Sequence, residues 1–330
     1  MRLLALVVVV AAVIAGIAAA VRGSGDGDGR QHGSARPPSP AARTQAVERL
    51  PPPDQQEAVG PLPEPAGASH VDLTQPSLMS YLRLRRGPKA GLAFDLDDGT
   101  LLWRLRATQV RPIASLTKLM TALLAVERFG PRDVVRIARE SDWVGGSRMG
   151  GLKAGRRARA DVLLQGLLIS SANDAAVALA FAGAGSERAW VALMNRRAQL
   201  LNLTCTRFVD AHGLDRRNRS CPADIATLAM RAMNEPRIAA IARKRYARVW
   251  PGSGKKLTLR TTNRLLRDRY PGAVGLKTGY TLAAGYCLVA VVERGARQIG
   301  IVLLGSTDSF GDARRVAREA ARVGALAAPA

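Results

Sequence analysis

Aromatic residues are scarce in this chain, fourteen in 330, and they are not interleaved with its basic runs. Arg156-Arg157, Arg216-Arg217-Asn218-Arg219 and Arg243-Lys244-Arg245 therefore lack the stacking platforms that single-stranded nucleic acid needs. Histidine and cysteine are equally sparse, three of each. No pair among them has metal-ligand spacing, so neither a metal nor any other cofactor is expected. Cys205 and Cys221 could pair in an oxidising compartment, with Cys287 left in an apolar run; three separate buried thiols remain equally open. Acidic residues are the third shortage. Against 49 Lys and Arg stand 26 Asp and Glu, a net charge of +23. Residues 1–70 hold six Arg and six acids, so the whole excess falls on 71–330. A surface of this sign suits an anionic partner.

Long apolar runs are absent except at the start, where Leu3 to Val21 is unbroken. Nineteen residues are long for a signal-peptide core and just enough to span a bilayer. Ala18-Ala19-Ala20 also fits a cleavage site, and an uncleaved anchor is the favoured of the two readings. Either places the remainder outside the cytoplasm, which disfavours nucleic acid further and leaves wall polymer or anionic lipid as partners. Residues 22–70 carry Gly-Asp repeats and spaced prolines without apolar periodicity, the pattern of a disordered tether in which His32 and His70 are solvated. The expected organisation is a segment 1–21, a linker 22–70 and one domain, 71–330.

Within that domain, Lys89–Leu96 and Thr100–Arg106 flank the turn Asp97-Asp98-Gly99 and read as a hairpin. Helical periodicity or capping marks Ser115–Phe129, Asp161–Ile169, Asp174–Phe181, Ser186–Leu201, Pro222–Asn234 and Arg314–Val323. Gly275–Gly279, Tyr286–Val292 and Gln298–Gly305 read as strands. Strands at both ends and helices between them predict an α+β fold, an antiparallel sheet completed by distant segments with a helical region inserted.

Three strings carry chemistry: Ser115-Leu-Thr-Lys118, Ser171-Ala-Asn173 and Lys277-Thr-Gly279, some 56 and then about 100 residues apart. A serine hydroxyl is a poor nucleophile without a base. Lys118, one turn beyond Ser115, can be that base only if its ammonium is destabilised by burial and by a second cation, for which Lys277 is placed. Ser171 would bridge toward Lys118 and Lys277 and pass a proton to a leaving amine. Asn173 would grip a substrate amide, Lys277 and Thr278 an anionic end, and bare Gly279 would let the substrate lie along the strand. A Ser-His-Asp alternative would need His212, but no Gly-x-Ser-x-Gly elbow is present.

Residues about 75–310 resemble the low-molecular-mass penicillin-binding proteins, the serine-type D-alanyl-D-alanine carboxypeptidases and related endopeptidases. The likeness extends to Arg111-Pro-Ile-Ala-Ser-Leu-Thr-Lys-Leu-Met-Thr-Ala122, Ser171-Ala-Asn-Asp-Ala-Ala-Val-Ala-Leu-Ala180, Thr206-Arg-Phe-Val-Asp-Ala-His-Gly-Leu214 and Gly275-Leu-Lys-Thr-Gly-Tyr-Thr-Leu-Ala-Ala-Gly-Tyr286. It implies the serine β-lactamase/penicillin-binding transpeptidase-like fold, a five-stranded antiparallel sheet flanked by helices beside an all-helical lobe. It further implies peptidoglycan stem peptides ending in D-Ala-D-Ala as substrate and β-lactams as covalent inhibitors. Ser115 would attack with Lys118 as base, the backbone N–H groups of Ser115 and Tyr280 would hold the oxyanion, and Ser171 would protonate the departing D-Ala while Lys277 and Thr278 bind its carboxylate. A cross-link-cleaving endopeptidase shares every motif. A β-lactamase would need a deacylating glutamate in a Glu-x-x-Leu-Asn context, which is not found, and a non-catalytic wall-binding protein would need no nucleophile. Two departures stand out. The arginine that relatives carry after the last strand is missing from Thr307-Asp-Ser-Phe-Gly311, leaving Arg314 or Arg315 to substitute. There is also no room for the β-rich second domain and amphipathic helix that anchor many relatives, so the membrane would be reached through the amino-terminal segment.

Overall fold

The computed structural model describes residues 70–326, with Arg86 and Ser253 excepted. The expectations for the segment 1–21 and for almost all of the linker 22–70 lie outside these residues. His70 is described, and it is not merely solvated: its Nδ1 lies 3.0 Å from Thr227 Oγ1.

In chain order the strands are β1 (Ala90–Asp95), β2 (Leu101–Leu105), β3 (Arg111–Pro112), β4 (Val134–Arg136), β5 (Arg157–Arg159), β6 (Arg219–Ser220), β7 (Tyr246–Val249), β8 (Leu257–Arg260), β9 (Ala273–Thr281), β10 (Gly285–Arg294) and β11 (Arg297–Ser306). The helices are α1 (Lys118–Arg128), α2 (Ala160–Ile169), α3 (Asn173–Ala184), α4 (Glu187–Leu200), α5 (Pro222–Asn234), α6 (Pro236–Ala242), α7 (Arg264–Arg267) and α8 (Ser309–Leu326). Five strands form the main sheet in the order β2-β1-β11-β10-β9, every neighbour antiparallel. The first hairpin of the chain thus pairs with its last strand, as the expected sheet built from both ends requires.

Both faces of this sheet are covered, which is why its strands read as unbroken apolar runs rather than alternating ones. Leu92, Phe94, Leu101, Val289, Val291 and Val302 face one core, shared with α1, α2, α3 and α5. Ala93, Leu102, Leu288, Ala290, Ile301 and Leu303 face a second, closed by Ala313, Val316, Ala317 and Ala320 of α8. Burying a side chain of this size contributes roughly 1.5–3 kcal/mol. Three two-stranded sheets, β3–β6, β4–β5 and the hairpin β7–β8, lie beside the main one. Cys205 and Cys221 are joined as a disulfide, and Cys287 is a buried free thiol whose pKa burial pushes up to about 11.

Candidate active site

Three segments distant in sequence converge at β9. The turn Ala114–Thr117 is a 3₁₀ helix, so Ser115 sits in a tighter turn immediately before α1 rather than in its first turn. The three-residue offset still brings Lys118 Nζ to 3.0 Å from Ser115 Oγ. Gly279 explains how β9 approaches this closely: a Cβ there would lie 3.0 Å from Ser115 N and 3.2 Å from Ile113 O. Ala114, with φ +48°, and Ser171, with φ +58°, are both left-handed without being glycine. Such conformations cost of order 1–3 kcal/mol each and persist only where the surroundings fix them. Here one directly precedes Ser115 and the other is Ser171 itself.

Lys118 is fully buried, 0% exposed, and has two further partners. Its Nζ donates to Asn173 Oδ1 at 2.6 Å and to the His212 carbonyl at 2.5 Å. Burial, and next the like charge of Lys277, hold its pKa well below the ordinary lysine value. Lys277, 1% exposed, is lowered to about 7 by burial and donates to Ser171 Oγ and to the Thr278 carbonyl, both at 2.8 Å. Ser171 therefore meets Lys277, while the hydrogen bond to Lys118 that was expected of it is made by Asn173. Asn173 is oriented in turn by its Nδ2, which donates to Gly145 O at 2.7 Å. Thr278 Oγ1 lies 2.6 Å from Thr262 Oγ1. The exposed Tyr280 ring packs against Tyr286 with centroids 4.7 Å apart.

One part of this arrangement escapes sequence reasoning, because it is backbone. The loop Asp210–Asp215 lies behind the Ala114–Thr117 turn and supplies the His212 carbonyl to Lys118, while Thr121 Oγ1 donates to Ala211 O at 2.6 Å. Gly213 has φ +92°, and a Cβ on it would overlap the Ala114 carbonyl. The Asp210 carboxylate accepts from His212 N, Gly213 N and Asp215 N at 2.9, 2.5 and 2.8 Å. It is spent on shaping the loop. The His212 ring also serves the loop: Nδ1 accepts from Leu214 N at 3.2 Å, and burial lowers its pKa, favouring the neutral form. The sequence marked this loop only through the family likeness of Thr206–Leu214 and the glycine following His212, neither of which names the carbonyl as the contact.

Arg314 does not take the place of the missing arginine. It lies on α8, which covers the sheet face opposite the site, and pairs with Asp268 at 2.5 Å. Arg315 is exposed on the same helix. Among the described residues, Cys205, Cys221 and Asp224 cluster as metal ligands would, but both sulfurs are bonded to each other and Asp224 accepts from Cys205 N and Thr206 Oγ1.

A Ser–Lys pair, a second buried lysine held by a serine, and a sheet edge closing on the nucleophile turn define an active-serine fold of the penicillin-binding class. The D-alanyl-D-alanine carboxypeptidase family, peptidase S11, matches residues 87–308, and the chain belongs to it. Among curated relatives it is 35% identical over 240 residues to the D-alanyl-D-alanine carboxypeptidase DacD of Escherichia coli, covering 68% of this chain and 60% of the relative. It is 32% identical over 224 residues to the D-alanyl-D-alanine endopeptidase of Haemophilus influenzae, covering 66% and 75%. A D-alanyl-D-alanine carboxypeptidase structure from Mycobacterium tuberculosis matches with TM-score 0.69 and 29% identity, over 76% of this chain and 96% of that one. Penicillin binding protein 6B from Escherichia coli matches with TM-score 0.67 and 32% identity, over 76% and 81%. These likenesses bear out the expected fold. The chain spans about 60% of the length of the first carboxypeptidase relatives, 58% for DacF of Bacillus subtilis and 60% for DacD.

Proposed function

We propose that the chain is a serine-type D-alanyl-D-alanine peptidase of the bacterial wall, removing the terminal D-Ala of stem pentapeptides through an acyl-enzyme on Ser115. The observation that carries this is the Lys118 amine: buried, depressed in pKa, and 3.0 Å from Ser115 Oγ. Ser115 Oγ attacks the carbonyl carbon of the penultimate D-Ala as Lys118 takes its proton. The backbone N–H groups of Ser115 and Tyr280 stabilise the oxyanion, a type of contribution worth several kcal/mol. The C–N bond then breaks, and the proton taken by Lys118 passes to the Ser171 hydroxyl, held by Lys277, which gives its own to the departing amine. Lys277 and Thr278 bind the leaving carboxylate. Water attacks the ester, its proton returns through Lys118, and the shortened peptide leaves as a carboxylate. β-Lactams would form the same ester without an easily expelled leaving group.

Domain 71–330 is the catalytic part in this reading. The apolar run Leu3 to Val21 would tether it on the outer side of the membrane through the linker 22–70. Cross-link cleavage is the second reading, favoured by the relatives named endopeptidases. The test is mass spectrometry of the protein after brief exposure to penicillin, then incubation with a pentapeptide muropeptide. An adduct on Ser115 and loss of one alanine support the carboxypeptidase. Cleavage of cross-linked dimers alone selects the endopeptidase, and a folded protein with no adduct refutes both.

A further inference from the structure

The β7–β8 hairpin has a composition unlike the rest of the chain. From Arg243 to Arg260 there are seven Lys or Arg and no acid. Its alternation is regular: Ala247, Val249 and Leu259 are buried, whereas Arg245, Tyr246, Arg248, Thr258 and Arg260 are exposed. Pairing places Tyr246 opposite Arg260 and Arg248 opposite Thr258. Tyr246 already follows Arg245 in the sequence, where Arg248 lies between Tyr246 and Trp250, and the pairing adds Arg260 beside Tyr246. Tyr246 is 60% exposed and Trp250 57%, the Trp250 indole N–H being satisfied by Gly254 O at 3.2 Å. Arg243 is paired with Glu293 and Lys244 with Gln165. Among the described residues, Arg245, Arg248, Lys255, Lys256 and Arg260 have no ion-pair partner.

The base of this hairpin is joined to the site. Thr261 N donates to Arg245 O at the base of the hairpin, and the next residue, Thr262, holds Thr278 through a 2.6 Å hydroxyl contact. Thr278 and Lys277 are the residues to which the leaving group's carboxylate is assigned above. From that end, the two four-residue strands extend a further distance of about 13 Å. A single departing D-Ala is too small to reach it. A leaving group that is itself a stem peptide, carrying its own carboxylates, would reach it and would meet unpaired cations and two exposed rings.

We infer that the exposed face of the β7–β8 hairpin binds the leaving strand of a cross-linked substrate, an acidic peptide, and biases the enzyme toward cleaving cross-links. The inference rests on the acyl-transfer reading of the site. The step is the same hydrolysis: the amide between D-Ala and the acceptor amine breaks, that amine leaves protonated with the second strand, and water completes the acid on the first.

The test compares wild-type full-length protein in detergent with Arg245→Gln/Arg248→Gln/Arg260→Gln and, separately, Lys255→Gln/Lys256→Gln. Substrates are a monomeric pentapeptide muropeptide and a cross-linked dimer. The triple variant is expected to raise KM for the dimer about tenfold, with kcat/KM for the pentapeptide and the rate of penicillin acylation within about twofold of wild type. Added salt should depress dimer cleavage by wild type more than pentapeptide cleavage, and the variant should lose that difference. Normal acylation of Ser115 with an unchanged dimer-to-monomer ratio in both variants, or with no dimer cleavage by wild type, overturns this inference alone. Absence of any penicillin adduct on wild type removes the underlying reading and the inference with it.

Discussion

Lys277 offers a thermodynamic test of the site that needs no substrate. Its ammonium is destabilised in the folded protein, with a pKa of about 7 against 10.5 for the ordinary group, and burial is the cause. Between those values the unfolded chain holds a proton that the folded chain does not, so stability rises with pH. A depressed lysine therefore contributes destabilisation that is complete below about pH 7 and disappears above 10.5. Between pH 7 and pH 10 this linkage amounts to roughly 3 to 4 kcal/mol. Lys277→Met removes the titrating group and fills similar space, at the cost of the two hydrogen bonds to Ser171 Oγ and Thr278 O. Losing them costs about 1 kcal/mol each. The offset is common to all pH values, whereas the linkage is not, and removal of the Lys277 charge also relaxes Lys118, which acts in the same direction. Urea unfolding at a series of pH values should give a variant-minus-wild-type difference that moves in favour of the variant by roughly 3 kcal/mol as pH falls from 10 to 7. Parallel stability curves would mean that Lys277 titrates normally when folded, and that the depression argued here for the site is wrong.

Two other perturbations probe the scaffold. Gly213→Ala forces a Cβ into the Ala114 carbonyl at a left-handed backbone position, so a loss of at least 3 kcal/mol in unfolding free energy is expected, together with loss of penicillin acylation. Gly254→Ala, also at positive φ but with open space around it, should leave acylation unchanged. Reduction of Cys205–Cys221, 16 residues apart, should lower stability by about 3 kcal/mol, read as a fall in Tm with acylation retained below it.

How much of this was legible depended on whether the signal lay in side-chain pattern or in backbone. The main sheet was readable because both faces are buried, and β10 and β11 accordingly run as long apolar strings. α5 was readable to the residue, since Pro222 opens it at a position where its missing N–H costs nothing. The two-stranded sheets β4–β5 and β7–β8 were not. Strands of three or four residues that alternate single apolar with charged positions resemble loops in sequence, and only their packing on the helical side reveals them. In the site, Ser115, Lys118, Ser171, Asn173 and Lys277 were nameable because hydroxyls, amines and amides are residue types. The His212 carbonyl was invisible because every residue has one. Asn173 was named for a different contact from the one it makes, since sequence gives the donor inventory but not which partner is nearest.

That Asn173 contact decides which way the Lys118 lone pair points. A neutral amine has two N–H bonds and one lone pair, and Lys118 has three neighbours. The His212 carbonyl can only accept. Asn173 Oδ1 can only accept as well, and its orientation is fixed by the Nδ2 bond to Gly145 O. Both N–H bonds are therefore committed, and the lone pair is left facing Ser115, whose hydroxyl must then donate to it. Asn173→Asp tests this directly. It keeps a carboxylate oxygen as acceptor for Lys118 but gives up the Nδ2 bond to Gly145 O and adds a negative charge, which stabilises the ammonium and raises its pKa. Acylation by penicillin at pH 7 should fall, by up to about tenfold for each unit that the pKa rises, and recover as the pH is raised, the acid limb of the profile having moved upward. Asn173→Ala removes the acceptor without adding charge, so its acylation rate should be low at every pH. Recovery at high pH in the aspartate variant alone identifies the neutral Lys118 amine as the base. A flat profile in both would mean that Asn173 acts only on the substrate.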